Sequence, residues 1–236
     1  MTTSSGATGR DATTRLTVAM LWLLIGVFVL YPLCRLLAMT FWGESGFTFE
    51  NLKPFVSSWY DQQAAVNSIL LGFSVGLAGT VLGFIFAFAV TRLHMPAWVK
   101  FIISAITILP LISPPFTSSI ALTLLLGPNG MILTLLGIED FNFYGFWGTF
   151  ISETLTFFPV AFMTLSTILS RIDPNLEDAA YSLGASSLTV FRTVTMPLAV
   201  PGIANAFLLV FSCSLADFAT PQVLGGHSFP VLPTQA

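Results

Sequence analysis

The stretch from Leu16 to Cys34 carries no charged side chain. Wound as a helix rising about 1.5 Å per residue, a run of that length crosses the hydrocarbon of a bilayer, about 30 Å thick. The pattern then repeats along the chain. Gln62 to Thr91 is again uncharged, with a span most favoured from Asn67 to Val90. A third uncharged stretch begins near Phe101 and is expected to end near Gly127-Pro128. Gly145 to Ser170 supplies a fourth, interrupted by Glu153 and Pro159, and Met196 to Leu215 a fifth. Backbone polar groups inside a bilayer must pair internally, so the expected fold class is an all-α, polytopic helical membrane protein.

Composition independently excludes an ordinary soluble domain: 8% of residues are charged, 55% are hydrophobic and 23 are Phe. The organisation expected is a tail over 1–15, a first transmembrane helix over 16–38, a segment outside the membrane over 39–66 and a membrane core over 67–236. Within that core lies a polar loop, 171–197. Arg10 and Arg15 ahead of the first apolar run would also suit a secretory signal peptide. The length of the run, and Tyr31-Pro32-Leu33 where a cleavage site wants small residues, favour a retained span.

Lys and Arg collect on the cytoplasmic side of membrane proteins. With the N-terminus inside, Arg10, Arg15, Arg92, Lys100, Arg171 and Arg192 all fall on cytoplasmic segments, leaving Arg35 and Lys53 outside. This orientation also puts the polar loop in the cytoplasm. Trp59, Tyr60 and Trp98 read as interfacial anchors.

Several features inside the spans bear on function. Gly72, Gly76, Gly79, Gly83 and Ala87 recur at three- and four-residue spacings, a ridge that lets helix backbones approach closely in lipid. That ridge serves packing within the subunit, or a subunit contact or sliding surface. Pro110, Pro114 and Pro115 must break or kink the third span. Broken backbone at membrane depth is tolerated where it is buried in protein or lines a wet cavity, which makes this stretch a pathway-lining candidate beside a purely structural kink. Glu153 falls about 12 Å along the fourth span at 1.5 Å per residue. A carboxylate at that depth faces a cavity, pairs or holds a proton, unless the span starts later and Glu153 reaches an interface. Pro159 is expected to kink the same helix. Asp217, ahead of Pro221, is ordinarily a cap or loop residue.

The polar loop is derivable residue by residue. Asp173 is a good N-cap and Pro174 fits the first helical position. Leu176, Ala179, Ala180 and Leu183 share one apolar face, with Glu177, Asp178 and Ser182 mostly off it. Gly184 suits a left-handed stop. Ser186 or Ser187 then caps a second short helix carrying Leu188, Phe191 and Val194, which Pro197 is expected to end.

With Asp178-Ala179-Ala180, Gly184 after three intervening residues, and Val194-Thr195-Met196-Pro197 after nine more, this loop resembles the cytoplasmic signature of binding-protein-dependent ABC importer permeases. That signature reads Glu-Ala-Ala, three residues, Gly, nine residues, Ile-x-Leu-Pro. The spacing matches throughout; Asp178, Val194 and Met196 replace Glu, Ile and Leu, and the shorter carboxylate changes the reach of any salt bridge there.

The resemblance implies the type I ABC importer permease fold in a bacterial inner membrane, with the N-terminus cytoplasmic and the helices forming half of a translocation pathway. It implies that the loop docks in a groove of a separate ABC ATPase, through Glu177, Asp178, Ala179, Ala180, Gly184, Ala185, Phe191 and Pro197. Glu177 or Asp178 would meet basic residues there. ATP and Mg would sit on that partner, with no cofactor in this chain. An extracytoplasmic solute-binding protein and a second permease half, fused or separate, complete the implied assembly.

The string Ser214-Leu-Ala-Asp217-Phe-Ala-Thr-Pro221-Gln-Val-Leu-Gly-Gly226 further resembles permeases of the ferric-iron type, with spermidine/putrescine, phosphonate and sulfate permeases as relatives. The implied substrate is ferric iron, with a polyamine, phosphonate or another small anion as alternatives. A sixth span is expected in this family, so a chain ending at Ala236 after five reads as the N-terminal part of a longer, fused permease.

Other function classes fare worse. No Gly-x-x-x-x-Gly-Lys-Ser/Thr loop is present, so ATP hydrolysis must come from a partner. His94 and His227 are not spaced for a metal, the isolated Cys34 and Cys213 read as packing residues, and no nucleophilic triad is available. A net charge of −3 with dispersed cations leaves no footprint for nucleic acid. A secondary transporter or channel would explain the spans and Glu153 but would not require the capped loop. A membrane-embedded enzyme would need clustered ionisable groups in the bilayer.

Overall fold

The computed structural model describes residues 5–43, 46–49, 53, 57–128, 130–138 and 142–235, with the side chains of residues 5–12, Pro115 and His227 outside that description. Part of the expected external segment, at 44–45, 50–52 and 54–56, therefore lies outside the described residues, as do the side chain of Arg10 and the final Ala236. The chain divides into two units, Met1–Trp59 and Tyr60–Ala236.

In the first unit, α1 (Ser5–Ile25) passes through a π-helical segment, Gly26–Leu30, into α2 (Tyr31–Phe41). The Tyr31 amide reaches back five residues to the Gly26 carbonyl. Pro32 has no N–H to give, and its ring presses on the carbonyl four residues back. The wider π turn absorbs that conflict and the helix continues. Its apolar window is entirely unburied, a surface suited to lipid. A minimal ladder of β1 (Trp42–Gly43) and β2 (Gly46–Phe47) follows, beside a cluster in which the Phe41, Phe47 and Phe49 rings lie 5.2–6.0 Å apart.

The second unit is built on three long helices: α3 (Trp59–Arg92), α7 (Phe146–Arg171) and α10 (Met196–Ala216). Leu71, Val75 and Ala87 of α3, Ala161, Phe162, Leu165 and Leu169 of α7, and Ala199, Ala206 and Val210 of α10 form its core. The glycine ridge of α3 makes that packing possible. A Cβ on Gly76 would stand 2.9 Å from the Phe207 ring of α10, and one on Gly83 would stand 2.6 Å from the Ala161 Cβ and 2.7 Å from the Phe162 amide nitrogen of α7. The ridge is thus used within the chain, the first of the two roles expected of it. In lipid, where apolar surface gains little by leaving its solvent, such close approach supplies the association energy.

Including the first, five helices are long and apolar enough to cross a membrane, among the described residues. The third stretch departs from a single span over Phe101 to Gly127. It is split into α4 (Ala97–Ile112) and α5 (Pro115–Leu126), followed by the short α6 (Met131–Leu136). Ser113 (φ −81°, ψ 141°) and Pro114 (φ −57°, ψ 141°) are both extended, each because a proline follows it. Pro110 is housed in the last turn of α4, and Pro115 opens α5. At the far end of the unit, α11 (Ala219–Leu224) seats the start of α7: the Gly145 amide, at φ +94°, donates to the Leu224 carbonyl at 2.7 Å.

Candidate coupling site and membrane interior

The polar loop between α7 and α10 forms two short helices, α8 (Pro174–Ser182) and α9 (Ser187–Val190). Asp173 caps α8, its carboxylate accepting from the Asn175 amide at 3.0 Å, with Pro174 at the first helical position. Gly184 closes the helix at φ +84°. The Ala185 amide donates to the Ala180 carbonyl at 3.1 Å and the Gly184 amide to the Tyr181 carbonyl at 2.9 Å, the paired bonds of a Schellman stop. Of the two candidate caps for the second helix it is Ser186 that serves, accepting from the Thr189 amide at 3.3 Å.

Pro197 does not end the second helix, contrary to the expectation from its ring chemistry. After α9 the chain widens into a π-helical segment, Phe191–Thr195, and runs directly into α10. The Met196 amide reaches back to the Phe191 carbonyl, as Tyr31 does ahead of Pro32. The second helix of the loop is therefore the first part of the fifth span.

The face of α8 formed by Leu176, Ala179, Ala180 and Leu183 is not packed away. Leu183 is 90% exposed, Leu176 and Ala179 are exposed, and Ala180 and Ala185 are half-buried. Asp178 is exposed beside them, and Pro197 is exposed at the root of α10. Glu177 points the other way. Its Oε1 lies 3.4 Å from Arg92 Nη2 at the end of α3 and accepts a hydrogen bond from the Thr195 hydroxyl at 2.8 Å. Of the two carboxylates considered for an external partner, Asp178 is the one left free to meet it. Phe191, half-buried, stacks edge-on against Phe88 at 5.4 Å. Behind the loop lies a cavity of about 730 Å³ lined by Arg92, His94, Glu177, Asp178, Tyr181 and Phe191 among others. Arg92 and Thr195 are functional candidates that sequence reasoning passed over. The available signal was faint: a lone Arg ending an apolar run reads as a topology marker.

Within the helix bundle, Glu153 is fully buried. It is the eighth residue of α7, which begins at Phe146, and faces α10, where the Ser214 hydroxyl donates to Glu153 Oε2. Glu153 Oε1 has no hydrogen-bond partner among the described residues. Nearby, Ser152 and Ser119 share a hydrogen bond at 3.1 Å that joins α7 to α5. Asp217 Oδ1 accepts from the Ala219 amide at 3.0 Å, an Asx turn in the loop just ahead of Phe218, the N-cap of α11. Pro159 is buried inside α7, Pro110 is half-buried and Pro114 exposed.

Residues 79–236 match the family model described as the binding-protein-dependent transport system inner membrane component. The chain belongs to that family. The chain is 39% identical over 219 residues to the ferric transport system permease protein FbpB of Actinobacillus pleuropneumoniae, covering 90% of this chain and 31% of that protein. It is 37% identical over 218 residues to a ferric transport system permease of the same kind from Haemophilus influenzae, covering 90% and 34%. It is 27% identical over 189 residues to the spermidine/putrescine transport system permease PotC of Haemophilus influenzae, covering 77% and 68%. The permease thus spans about a third of the length of the ferric relatives. In fold it resembles a bacterial ABC transporter that imports alginate, with TM-score 0.77 at 17% identity over 96% of this chain and 83% of that one. It also resembles the MetNI methionine ABC transporter, with TM-score 0.58 at 19% identity over 71% and 75%.

Proposed function

We propose that this permease forms part of the membrane pathway of an ATP-driven importer and couples to a separate ABC ATPase through residues 173–197. The observation that carries the reading is the loop itself: a capped, Schellman-stopped helix holding Leu176, Leu183 and Asp178 outward, followed by α9, which runs on into α10. An apolar edge kept exposed beside a free carboxylate suits a protein groove with basic residues at its rim. Ala179, Ala180, Gly184, Ala185 and Pro197 shape that edge, with Glu177 and Phe191 holding the loop from behind through Arg92 and Phe88. ATP and Mg belong to the partner, an extracytoplasmic binding protein delivers substrate, and a second permease half, fused or separate, completes the pathway. The N-terminus lies on the cytoplasmic side, in keeping with the distribution of Lys and Arg.

The extended backbone at Ser113-Pro114 borders the pathway, since backbone of that kind within a membrane is tolerated next to protein or water, and Pro110, Pro115, Glu153 and Pro159 are assigned to its lining. The substrate is ferric iron, a reading supported by the two ferric relatives. A polyamine or a small anion such as sulfate is the second reading, favoured by the likeness to the spermidine/putrescine and sulfate permeases.

The experiment is uptake of radiolabelled iron by proteoliposomes holding the complete importer, with its binding protein outside and ATP inside. ATP-dependent iron uptake is expected. Uptake of spermidine or sulfate in its place moves the assignment to the second reading. Unaltered ATPase binding and uptake after Gly184→Arg would exclude the coupling loop.

A further inference from the structure

One guanidinium joins the loop to the long spans. Arg92 is the last residue of α3, and its Nη2 lies 3.4 Å from Glu177 Oε1 in α8. The same nitrogen donates to the carbonyls of Leu169 at 3.1 Å and Ile172 at 3.5 Å, at the end of α7. Glu177 Oε1 in turn accepts from Thr195, in the π segment that leads into α10. Four elements, α3, α7, α8 and the π segment before α10, are held by two side chains and a hydroxyl.

We propose that Arg92 is the positioning residue that ties the coupling loop to both α3 and α7, so that a displacement of α8 by a docked ATPase is passed to both helices together. The proposal rests on the coupling role assigned to the loop above. Its chemistry follows from the partners. The end of a helix leaves its last carbonyls without intrahelical donors and carries the negative end of the dipole, so a cation is favoured beside Leu169 and Ile172. All three acceptors meet the one Nη2, whose two hydrogens serve the Leu169 and Ile172 carbonyls while Glu177 Oε1 stands beside them as the opposite charge; Arg92 Nε is buried without a hydrogen-bond partner among the described residues. The Arg92 and Glu177 side chains are 13% and 17% exposed, so water and salt screen the pair weakly, and removing either partner leaves a charge stranded.

Rigid packing carries the motion onward. Gly83 sets α3 against the backbone of α7 at Ala161 and Phe162, and the α7 and α10 core closes the other side. The cavity beside Arg92, also lined by His94 and Tyr181, leaves the loop room to shift against this clamp.

The test uses the complete importer, with its ATPase and binding protein, in proteoliposomes. With Arg92→Ala, ATPase subunits are expected to co-purify as before, while substrate imported per ATP hydrolysed falls roughly tenfold. Arg92→Lys recovers part of that ratio, and Glu177→Gln, which keeps an oxygen for Thr195, lowers it by less. Wild-type coupling in Arg92→Ala overturns the proposal. So does a loss that tracks failed ATPase binding, because Arg92 would then belong to the docking surface. If Arg92→Ala does not fold, Glu177→Gln decides: full coupling in that variant overturns the proposal. The docking reading fails separately, and visibly, if Leu183→Asp still binds the ATPase.

Discussion

Two proline sites in this permease have opposite outcomes. At Pro197 the helix runs on: a five-residue π segment, Phe191–Thr195, precedes it and α9, the second helix of the loop, continues into α10 without a break. At Pro114-Pro115 the helix stops, with Ser113 and Pro114 extended between α4 and α5. A proline inside a helix costs about 3 kcal/mol through its lost N–H bond and its clash with the preceding turn. A single proline can be accommodated if the turn before it widens. Two in succession force the residue ahead of each out of helical geometry, and no local widening repairs both. The lesson is mechanical. One site makes a lever continuous with its span, and the other makes a joint inside the bundle.

The strongest challenge to that contrast is to remove the joint. Replacing Ser113, Pro114 and Pro115 by alanine should fuse α4 and α5, leave ATPase binding intact and lower uptake by roughly a hundredfold. Unchanged uptake in liposomes would mean the break has no part in transport. Next, Pro197→Ala restores an amide and removes the reason for the π segment. Reversion to a regular helix would turn the loop by about 100° relative to α10, the rotation of one residue. Spin labels placed on α8 and α10 should report the shift, with a roughly tenfold fall in uptake; an unchanged label distance would show that the π segment does not depend on the proline.

A smaller effect is expected from Thr195→Val, which keeps the shape but deletes the donor to Glu177. The lost hydrogen bond is worth about 1 kcal/mol, read as a lower thermal midpoint in detergent. Gly184→Ala should cost about 1 kcal/mol as well, confined to the loop, because a Cβ there meets nothing within 4 Å and only the left-handed backbone opposes it. Local hydrogen exchange across 174–190 would detect it, and a global loss of stability would contradict the assignment of that cost to conformation alone.

What could be read in advance was whatever chemistry acts within a turn or two. Asp173, Gly184 and Ser186 do in the structure what a short polar side chain or a missing Cβ makes favourable. The apolar runs, the break at the third stretch and the tight glycine ridge followed from equally local rules. Pro197 misled because its clash is relieved by a change in helix type that leaves no mark in composition. The partner of Glu177 was hidden for another reason. Arg92 precedes it by most of the α3-to-α8 path, and nothing in either neighbourhood says that the end of α3 meets α8. The partner of Glu153 was hidden in the same way, since Ser214 of α10 lies far along the chain.

The most direct test of the account is site-specific cross-linking in the assembled importer. With a single cysteine at Leu183, 90% exposed at the tip of α8, a short thiol-reactive linker should join the permease to its ATPase in a transport-competent complex. The account predicts that adduct, and predicts none from a cysteine at Leu37 on the unburied first span. A complex that imports substrate while Leu183→Cys yields no ATPase adduct would contradict the claim that this loop is where the ATPase engages.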